Sequence, residues 1–551
     1  MLGLICSLLL NVNILSYAPP VNYQISLAGN FGEPRPNHFH GGIDVKTDGV
    51  EGKKVMTIAD GFVSRVTIGL LGFGNAVYVQ HPDGHTSVYC HLKSFSPRIS
   101  ALVKRWQYKH QCYIADVRLS PSDCPVAQGD FIAISGNTGA SEAPHLHLEM
   151  HNTKTWEMVD PLDFLKPYVK DGLKPLAHGF MAYPKSGEGI FCNGTGKSSY
   201  GFPSPNLTRK FTAWGKVGFG IWANDYMEIT YNRYGIRHTK LSVDGRVVFE
   251  SDVSGIPVQD NLMVNSWGDY EHYCRYGVWY MKSFVEPGNR LPVLHADHNH
   301  GYIDFNQERD YHIVYTLTDF AGNSRDYTFT VTGKRMGIPK KKVFNPRWMM
   351  HWNQTNSMDM PGMQLVIPYG MIADDVELQP SIIKQPGSLS NKYKFYSVSN
   401  PMLGWGEISI CLNKKVKDTS KLYIESNNGV DHFMGGSFKS GWVTSKIREL
   451  GANYQIVEDV TPPTVNPVGQ GSWNTSHKLV IGLTDSGSGI KSYKAYIDGQ
   501  FVLFAMVPKS PWVECKLKET PIAMTGKMHN FKFIAVDNRN NIRTFSAQVR
   551  Y

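Results

Sequence analysis

His40-Gly41-Gly42-Ile43-Asp44, then Tyr89-Cys90-His91-Leu92, then Pro144-His145-Leu146-His147 form the stretch on which the reading of this chain turns. His145 and His147 stand in an alternating apolar run that continues to Met150. In a strand, residues i and i+2 point to one face, so both imidazoles can project into one cleft. His40 and Asp44 are separated by two glycines that allow a tight backbone approach into a following strand, Ile43-Asp44-Val45. Two imidazoles and a carboxylate suit a borderline metal such as zinc. They also leave a fourth position open to water, the arrangement of a catalytic rather than a structural zinc.

These pieces resemble the lysostaphin-type (LytM-type) zinc endopeptidases, whose pattern is His-x-Gly-x-Asp, Tyr-x-His-Leu and Pro-His-Leu-His-Phe-Glu. Here the three read HGGID, YCHL and PHLHLE, over roughly residues 30 to 165. The resemblance implies that His40, Asp44 and His147 bind Zn²⁺ and that His91 and His145 form the catalytic pair beside it. Leu148 replaces the usual Phe, and the segment from Arg98 to Ala127 is longer than the short turn common in the family. The implied function is hydrolysis of peptide cross-links in bacterial peptidoglycan. Some relatives have become activators of other wall hydrolases, so a zinc-loaded scaffold is one alternative and a general secreted metalloprotease is another.

No His-Glu-x-x-His occurs, so the glutamate base of that motif is missing. A histidine, whose pKa lies near working pH, must take the proton. His91 and His145 are the candidates, for activating water or for holding the oxyanion. Glu149 shares a strand face with His147 and is a candidate to orient it, with a plain structural role as the alternative.

Working outward, Leu2 to Leu10 is apolar and Ser16-Tyr17-Ala18 can precede cleavage, so residues 1–18 read as most of a secretory signal, without its basic start. This places the protein outside the cytoplasm, in the periplasm or cell envelope. No run of eighteen apolar residues marks a transmembrane anchor. Within the long segment, a Cys112–Cys124 disulfide would supply stability that it otherwise lacks; Cys192–Cys274 is a candidate second pair and Cys90 the expected free thiol, with buried reduced cysteines as the alternative. The net charge of +9 favours anionic polymers. Peptidoglycan fits; nucleic acid does not, since no clustered basic face or nucleic-acid motif accompanies the charge.

The expected fold is all-β: an antiparallel catalytic domain over residues 19–170 with an insertion at 98–127, then two or three immunoglobulin-like β-sandwiches. Frequent Tyr, Phe, Trp, Gly and Pro favour strands and turns. Hairpins are predicted across Asp60-Gly61 and across His81-Pro82-Asp83-Gly84. Gly69 to Gly74 lies between strands, which disfavours a phosphate loop and suggests a cleft wall. An internal repeat sets out the remainder. Gly235-Ile236 through Asp244-Gly245 to Val248 matches Gly489-Ile490 through Asp498-Gly499 to Val502 in step. Each copy is preceded by an Asp, at 225 and 485, and each domain ends on a similar turn, Asp319 to Asn323 and Asp537 to Asn541. Sandwiches are therefore expected at 173–335 and 461–551, with 340–458 β-rich and a candidate third. Such modules bind, position or space an enzyme; glycan, an envelope protein partner, or simple packing remain open for them. His295, Asp297, His298 and His300 could hold a metal but read better as a solvated loop. Trp267, Trp279, Tyr280 and Trp405 read better as core than as sugar platforms. Residues 19–170 are expected to be active alone.

Overall fold

The computed structural model describes residues 16–551, so most of the expected signal segment lies outside the described residues. Tyr17 and Ala18 lie inside them: Tyr17 packs on the first hydrophobic core and Ala18 N–H donates to Ile58 O. The molecule is mostly sheet, as its composition predicts. No helix among the described residues is long and apolar enough to cross a membrane.

The amino-terminal sheet has ten strands. Its central path runs Leu27–Gly29, Gly42–Lys46, His145–Asn152, His85–Cys90, Asn75–Gln80, Gly61–Ile68 and Ala115–Arg118. The hairpin across residues 81–84 forms as expected, pairing Val77 with Tyr89 and Gln80 with Thr86. The one across Asp60-Gly61 does not. Lys54–Met56 instead pairs with Phe131–Ser135 in a separate three-stranded sheet. Alternation in a strand fixes which face is buried but not which neighbour it meets.

The segment from Arg98 to Ala127 also departs from expectation. Pro97–His110 is a helix, with Pro at its start and Lys109 and His110 complementing the dipole of its last turn. It buries Ile99, Val103 and Gln107 at helical spacing, and Ile99 and Val103 join the main core. Each such apolar side chain contributes about 1.5–3 kcal/mol. Ala115–Arg118 and Pro125–Val126 then pair with Gly61–Ile68. The segment is thus held by core packing and strand pairing. No disulfide occurs among the described residues. Cys124 is buried beside Arg98, whereas Cys112 faces Tyr493. Cys192 sits by Tyr200 and Cys274 by Tyr270, so neither expected pair meets. Cys90 is a free, fully buried thiol whose pKa burial pushes well up.

The next ten strands form one continuous ladder around an aromatic core in which Phe180 stacks on Phe329 at 4.1 Å. Two five-stranded sheets enclose a core from Met350 to Ile456, and two four-stranded sheets one from Leu479 to Tyr551. Both copies of the repeat make the same hairpin turn. Asp244 and Asp498 have φ of 50° and 48°, followed by Gly245 and Gly499 at 81° and 80°. Two successive left-handed residues are what a two-residue turn needs, and Asp-Gly provides them.

The amino-terminal core does not close at residue 170. Met227 and Tyr234 are members of it, and Phe320 packs against it. Tyr234 hydroxyl donates to Leu27 O at 2.8 Å. Asn30 exchanges two bonds with Gly235, and Arg237 Nη1 pairs with buried Asp160 at 2.7 Å.

Candidate metal centre

Three adjacent strands build the cluster. His147 lies directly opposite Asp44 on one side and Cys90 on the other. Residues opposed across an antiparallel ladder share a face, so Asp44 and His147 meet without any loop between them. Gly42 sits opposite Glu149, where a Cβ would come 2.1 Å from Leu148 O. A Cβ on Gly41 would come 2.7 Å from Glu149 Oε1. The two glycines are therefore required by close approach. His91 follows its strand in the left-handed region, at φ 58°, rare for a residue with a side chain. That turn brings its ring within 4.9 Å of His145 and 5.7 Å of His147.

All five expected site residues come together. Two overlapping groups of donors result, His40 with Asp44 and His147, and His91 with His145 and His147. In the first, His40 Nε2 is 3.0 Å from Asp44 Oδ1 and 2.9 Å from His147 Nδ1, which is 2.8 Å from the same oxygen. The outer nitrogens are already engaged. His40 Nδ1 is 2.6 Å from Asn30 O, and since a carbonyl only accepts, that nitrogen carries the hydrogen. His147 Nε2 donates to the Glu149 carboxylate at 3.0 Å. In their neutral forms, then, both rings turn a lone pair toward Asp44 Oδ1. Three acceptors facing one another without a hydrogen require a cation, which is the fit a metal demands of its donors.

The electrostatics agree. Burial opposes charge on His147, but the hydrogen bonds to Asp44 and Glu149 outweigh it and raise its pKa to about 9. Burial lowers His40 to about 4. Asp44 is held well below the carboxylate range by His40, His145 and His147 against the opposing effect of burial. The cluster thus attracts one positive charge, a proton or a metal. Burial, then His147 and His145, lower His91 to about 3, so its ring is neutral at physiological pH.

Surrounding groups fix these rings. Glu149 bridges His147 to His151, which stacks on Trp156 at 4.4 Å. Burial opposes the charge on Glu149, but the two histidines outweigh it and lower its pKa to about 2. Arg35 Nη2 donates to Asp44 Oδ2 at 2.8 Å, leaving Oδ1 to the histidines. His91 Nδ1 donates to Thr138 O and His145 Nδ1 to Ala143 O, both at 2.8 Å; this leaves His91 Nε2 as an acceptor, while His145 Nε2 lies 3.3 Å from Asp44 Oδ1. Glu149 was visible in the sequence through its place on the strand. Arg35 and Asn30 were not, because neither belongs to a motif.

The rim has two parts. Phe73 stacks on His147 at 5.9 Å, next to Leu71, which is 83% exposed on the loop expected to form a cleft wall. Lys509, at a hairpin tip of the last domain, donates to Gly139 O at 2.8 Å and to Ser141 O. Ser141 Oγ lies 3.2 Å from His145 Nδ1. The same domain reaches the helix Pro97–His110 and its end, with Phe501 against Tyr108 and Tyr496 bonded to Gln111.

The other candidates fare differently. His295, Asp297, His298 and His300 do not converge as donors among the described residues. Asp297 instead accepts from Asn299 N and Gly301 N within its own turn. Trp267 and Tyr280 are buried and Trp279 stacks on Tyr273 at 4.4 Å, but Trp405 is 47% exposed beneath Arg448 and is not core as expected.

Residues 38–108 match the family model of Peptidase family M23, a span containing His40, Asp44 and His91. Residues 347–459 match that of a Zu5-like domain. The chain is similar to an uncharacterized metalloprotease of Haemophilus influenzae, 32% identical over 134 residues, covering 24% of this chain and 22% of the relative. It is similar to the cell division protein DipM of Caulobacter vibrioides, 25% identical over 150 residues, covering 27% of this chain and 18% of the relative. It thus spans about a fifth of the length of these curated relatives. Among solved structures, the catalytic domain of the antimicrobial peptidase lysostaphin from Staphylococcus simulans is 25% identical, covering 26% of this chain and 93% of that one, with a TM-score of 0.20.

Proposed function

From an amino-terminal domain of the lysostaphin type, peptidase family M23, we propose that this protein is an exported zinc endopeptidase that hydrolyses peptide cross-links of bacterial peptidoglycan. The observation that carries the reading is the meeting of His40 Nε2, Asp44 Oδ1 and His147 Nδ1 as facing lone-pair donors beside a neutral imidazole, His91. His40, Asp44 and His147 hold the metal in this reading. Bound there, zinc polarises a scissile carbonyl and lowers the pKa of water.

The protein's own groups manage the proton. With Nδ1–H committed to a backbone carbonyl, His91 faces the cleft with an unprotonated Nε2, and His145 Nε2 lies beside it, 3.3 Å from Asp44 Oδ1. Either can take a proton from the attacking water at that atom. The imidazolium so formed is a donor, able to hold a developing oxyanion or return the proton to the leaving amine. Glu149 and Asn30 O keep His147 and His40 in the tautomers that binding needs. Phe73 and the exposed Leu71 offer apolar contact along one wall.

Peptidoglycan as substrate is supported by the family and by the charge of +9, which favours a polymer bearing carboxylates. Export to the envelope belongs to the same reading and rests on the apolar run at Leu2 to Leu10. A second reading, a zinc-loaded scaffold that acts on another wall hydrolase, draws on Lys509, which fastens the cleft rim to the last domain. Digestion of purified sacculi with and without chelator, read by mass spectrometry of released muropeptides, separates the two. Chelator-sensitive loss of cross-linked dimers with a new amine and carboxylate at one peptide bond is the expected result. No released product from zinc-loaded protein would refute the endopeptidase.

A further inference from the structure

We propose that Asp171, Asp225 and Asp319 form a binding site for a divalent cation of the calcium class, at the junction between the amino-terminal domain and the β-domain that follows. The three carboxylates come from three separate places: the linker, the end of the strand Asn206–Asn224, and the turn after Asp310–Thr318. One oxygen of each lies within 4.8 Å of the others. Asp225 is 1% exposed and Asp319 4% exposed. Two of the oxygens, Asp225 Oδ1 and Asp171 Oδ2, are buried without a hydrogen-bond partner. None of the three residues takes part in an ion pair among the described residues.

A buried carboxylate oxygen without a partner is costly; Asp225 Oδ1 and Asp171 Oδ2 are two such atoms, whereas Asp319 accepts from Gly322 N, Asn323 N and Asn323 Nδ2. Burial, then mutual repulsion, push Asp171 up to about 7 and Asp225 up to about 8. The group contains only oxygen donors, with no imidazole or thiolate. That set selects a hard cation, and a site built on separate loops suits the adaptable coordination of calcium better than the strict octahedron of magnesium.

The arrangement occurs twice. Asp459, Asp485 and Asp537 converge in the same way before the last domain. Asn323 donates to Asp319 Oδ2 at 2.8 Å and to Asp171 O at 3.3 Å. Asn541 donates likewise to Asp537 Oδ2 at 2.7 Å and to Asp459 O at 2.9 Å. The match extends the internal repeat from hairpins to a carboxylate cluster. Backbone N–H groups answer Asp319 and Asp537 alike, and Asp171 accepts from Leu173 N, but only the later copy meets its middle carboxylate from two of them: Asp485 accepts from Gly487 N and Gly489 N, and Asp459 from Thr461 N and Ser488 N. The earlier copy leaves more of its charge unmet, so it carries the proposal.

A cation at this junction would tie together the loops that enter the amino-terminal core. Asp225 and Tyr234 exchange backbone hydrogen bonds, and Tyr234, Met227 and Phe320 all pack into or onto that core.

The test is calcium titration of the full, zinc-loaded chain in calcium-depleted buffer, by calorimetry and by thermal unfolding. Wild type is expected to bind calcium with a dissociation constant on the order of 10⁻⁴–10⁻³ M, the range of extracellular modules, and to gain several degrees in Tm. Asp225→Asn is expected to lose this binding step and the calcium-dependent gain in Tm. If Asp225→Asn fails to fold, Asp171→Asn on the linker gives the same reading. A titration unchanged by either variant, no calcium response in wild type, or an equal response to magnesium would overturn the proposal. None of these readouts depends on hydrolysis, so they stand apart from the fate of the endopeptidase.

Discussion

Asn30 and Gly235, 205 residues apart, hold each other by two hydrogen bonds: Asn30 Nδ2 donates to Gly235 O at 2.9 Å and Gly235 N to Asn30 Oδ1 at 2.8 Å. The carbonyl of the same Asn30 accepts from His40 Nδ1. The second domain therefore fixes the backbone that orients a proposed metal ligand. Asn30→Ala keeps that carbonyl but removes the side-chain grip on Gly235, so it should weaken zinc binding by less than the about 10–100-fold of losing an outer partner outright. Competition with a chromophoric chelator measures it; an unchanged affinity would mean His40 needs no such support.

Residues 19–170 alone should unfold at lower temperature and lose activity. Met227 and Tyr234 fill their core from outside that span. This reverses the expectation drawn from sequence. A fragment extended to residue 335 should recover both properties. Circular dichroism melts of the two fragments decide; an active, cooperatively melting short fragment would refute the shared core.

His40→Ala or Asp44→Ala should lose bound metal. His91→Asn should keep the metal and lose hydrolysis by about 10²–10⁴-fold, the scale of an acid–base group. Asn is chosen because it tolerates the left-handed backbone of His91. Metal analysis of each variant tests this, and loss of zinc from His91→Asn would move His91 among the ligands.

One interdomain carboxyl should contribute a fall in stability as pH rises from about 4 to about 6. Burial, against the pull of Arg237, raises Asp160 to about 6. Arg237 is shared with Asp163 and Asp252, so its charge is divided among three carboxylates. An acid whose folded pKa exceeds its unfolded value of about 3.9 holds its proton better when folded, and that advantage is lost as pH climbs through the folded pKa. Asp160→Asn should make the slope shallower by this share, with Asp171 and Asp225 supplying the remainder. Urea melts at pH 4 and pH 6.5 suffice, and an identical slope in the variant would count against it.

Lys509→Met should free the loop at the cleft rim without changing metal content. Its ammonium binds two carbonyls there, of Gly139 and Ser141. Hydrogen exchange of residues 137–143 should quicken by severalfold; unchanged protection would mean the loop holds itself.

The site was legible because its parts obey local rules. His145 and His147 follow the period of a strand, and Asp44 sits four residues after His40. The partners of these residues were not, because Asn30, Gly235 and Tyr234 act through contacts some 200 residues apart that no short pattern records. The helix Pro97–His110 had a signal, Pro97 followed by Ile99 and Val103 at helical spacing, but only two apolar positions carry it. The repeat was clear from its Asp-Gly turns. Its aspartates read as strand-end markers, since the third member of each cluster comes from a linker outside the matching segments.

The shared core also sets an order of events in time. Tyr234 leaves the ribosome 87 residues after His147 (234 − 147). At about 5–20 residues per second, that is roughly 4–17 seconds during which every proposed metal ligand exists but the wall behind His40 does not. A newly made chain therefore carries its own delay, and the proposed metal centre is completed only once the following domain has been synthesised.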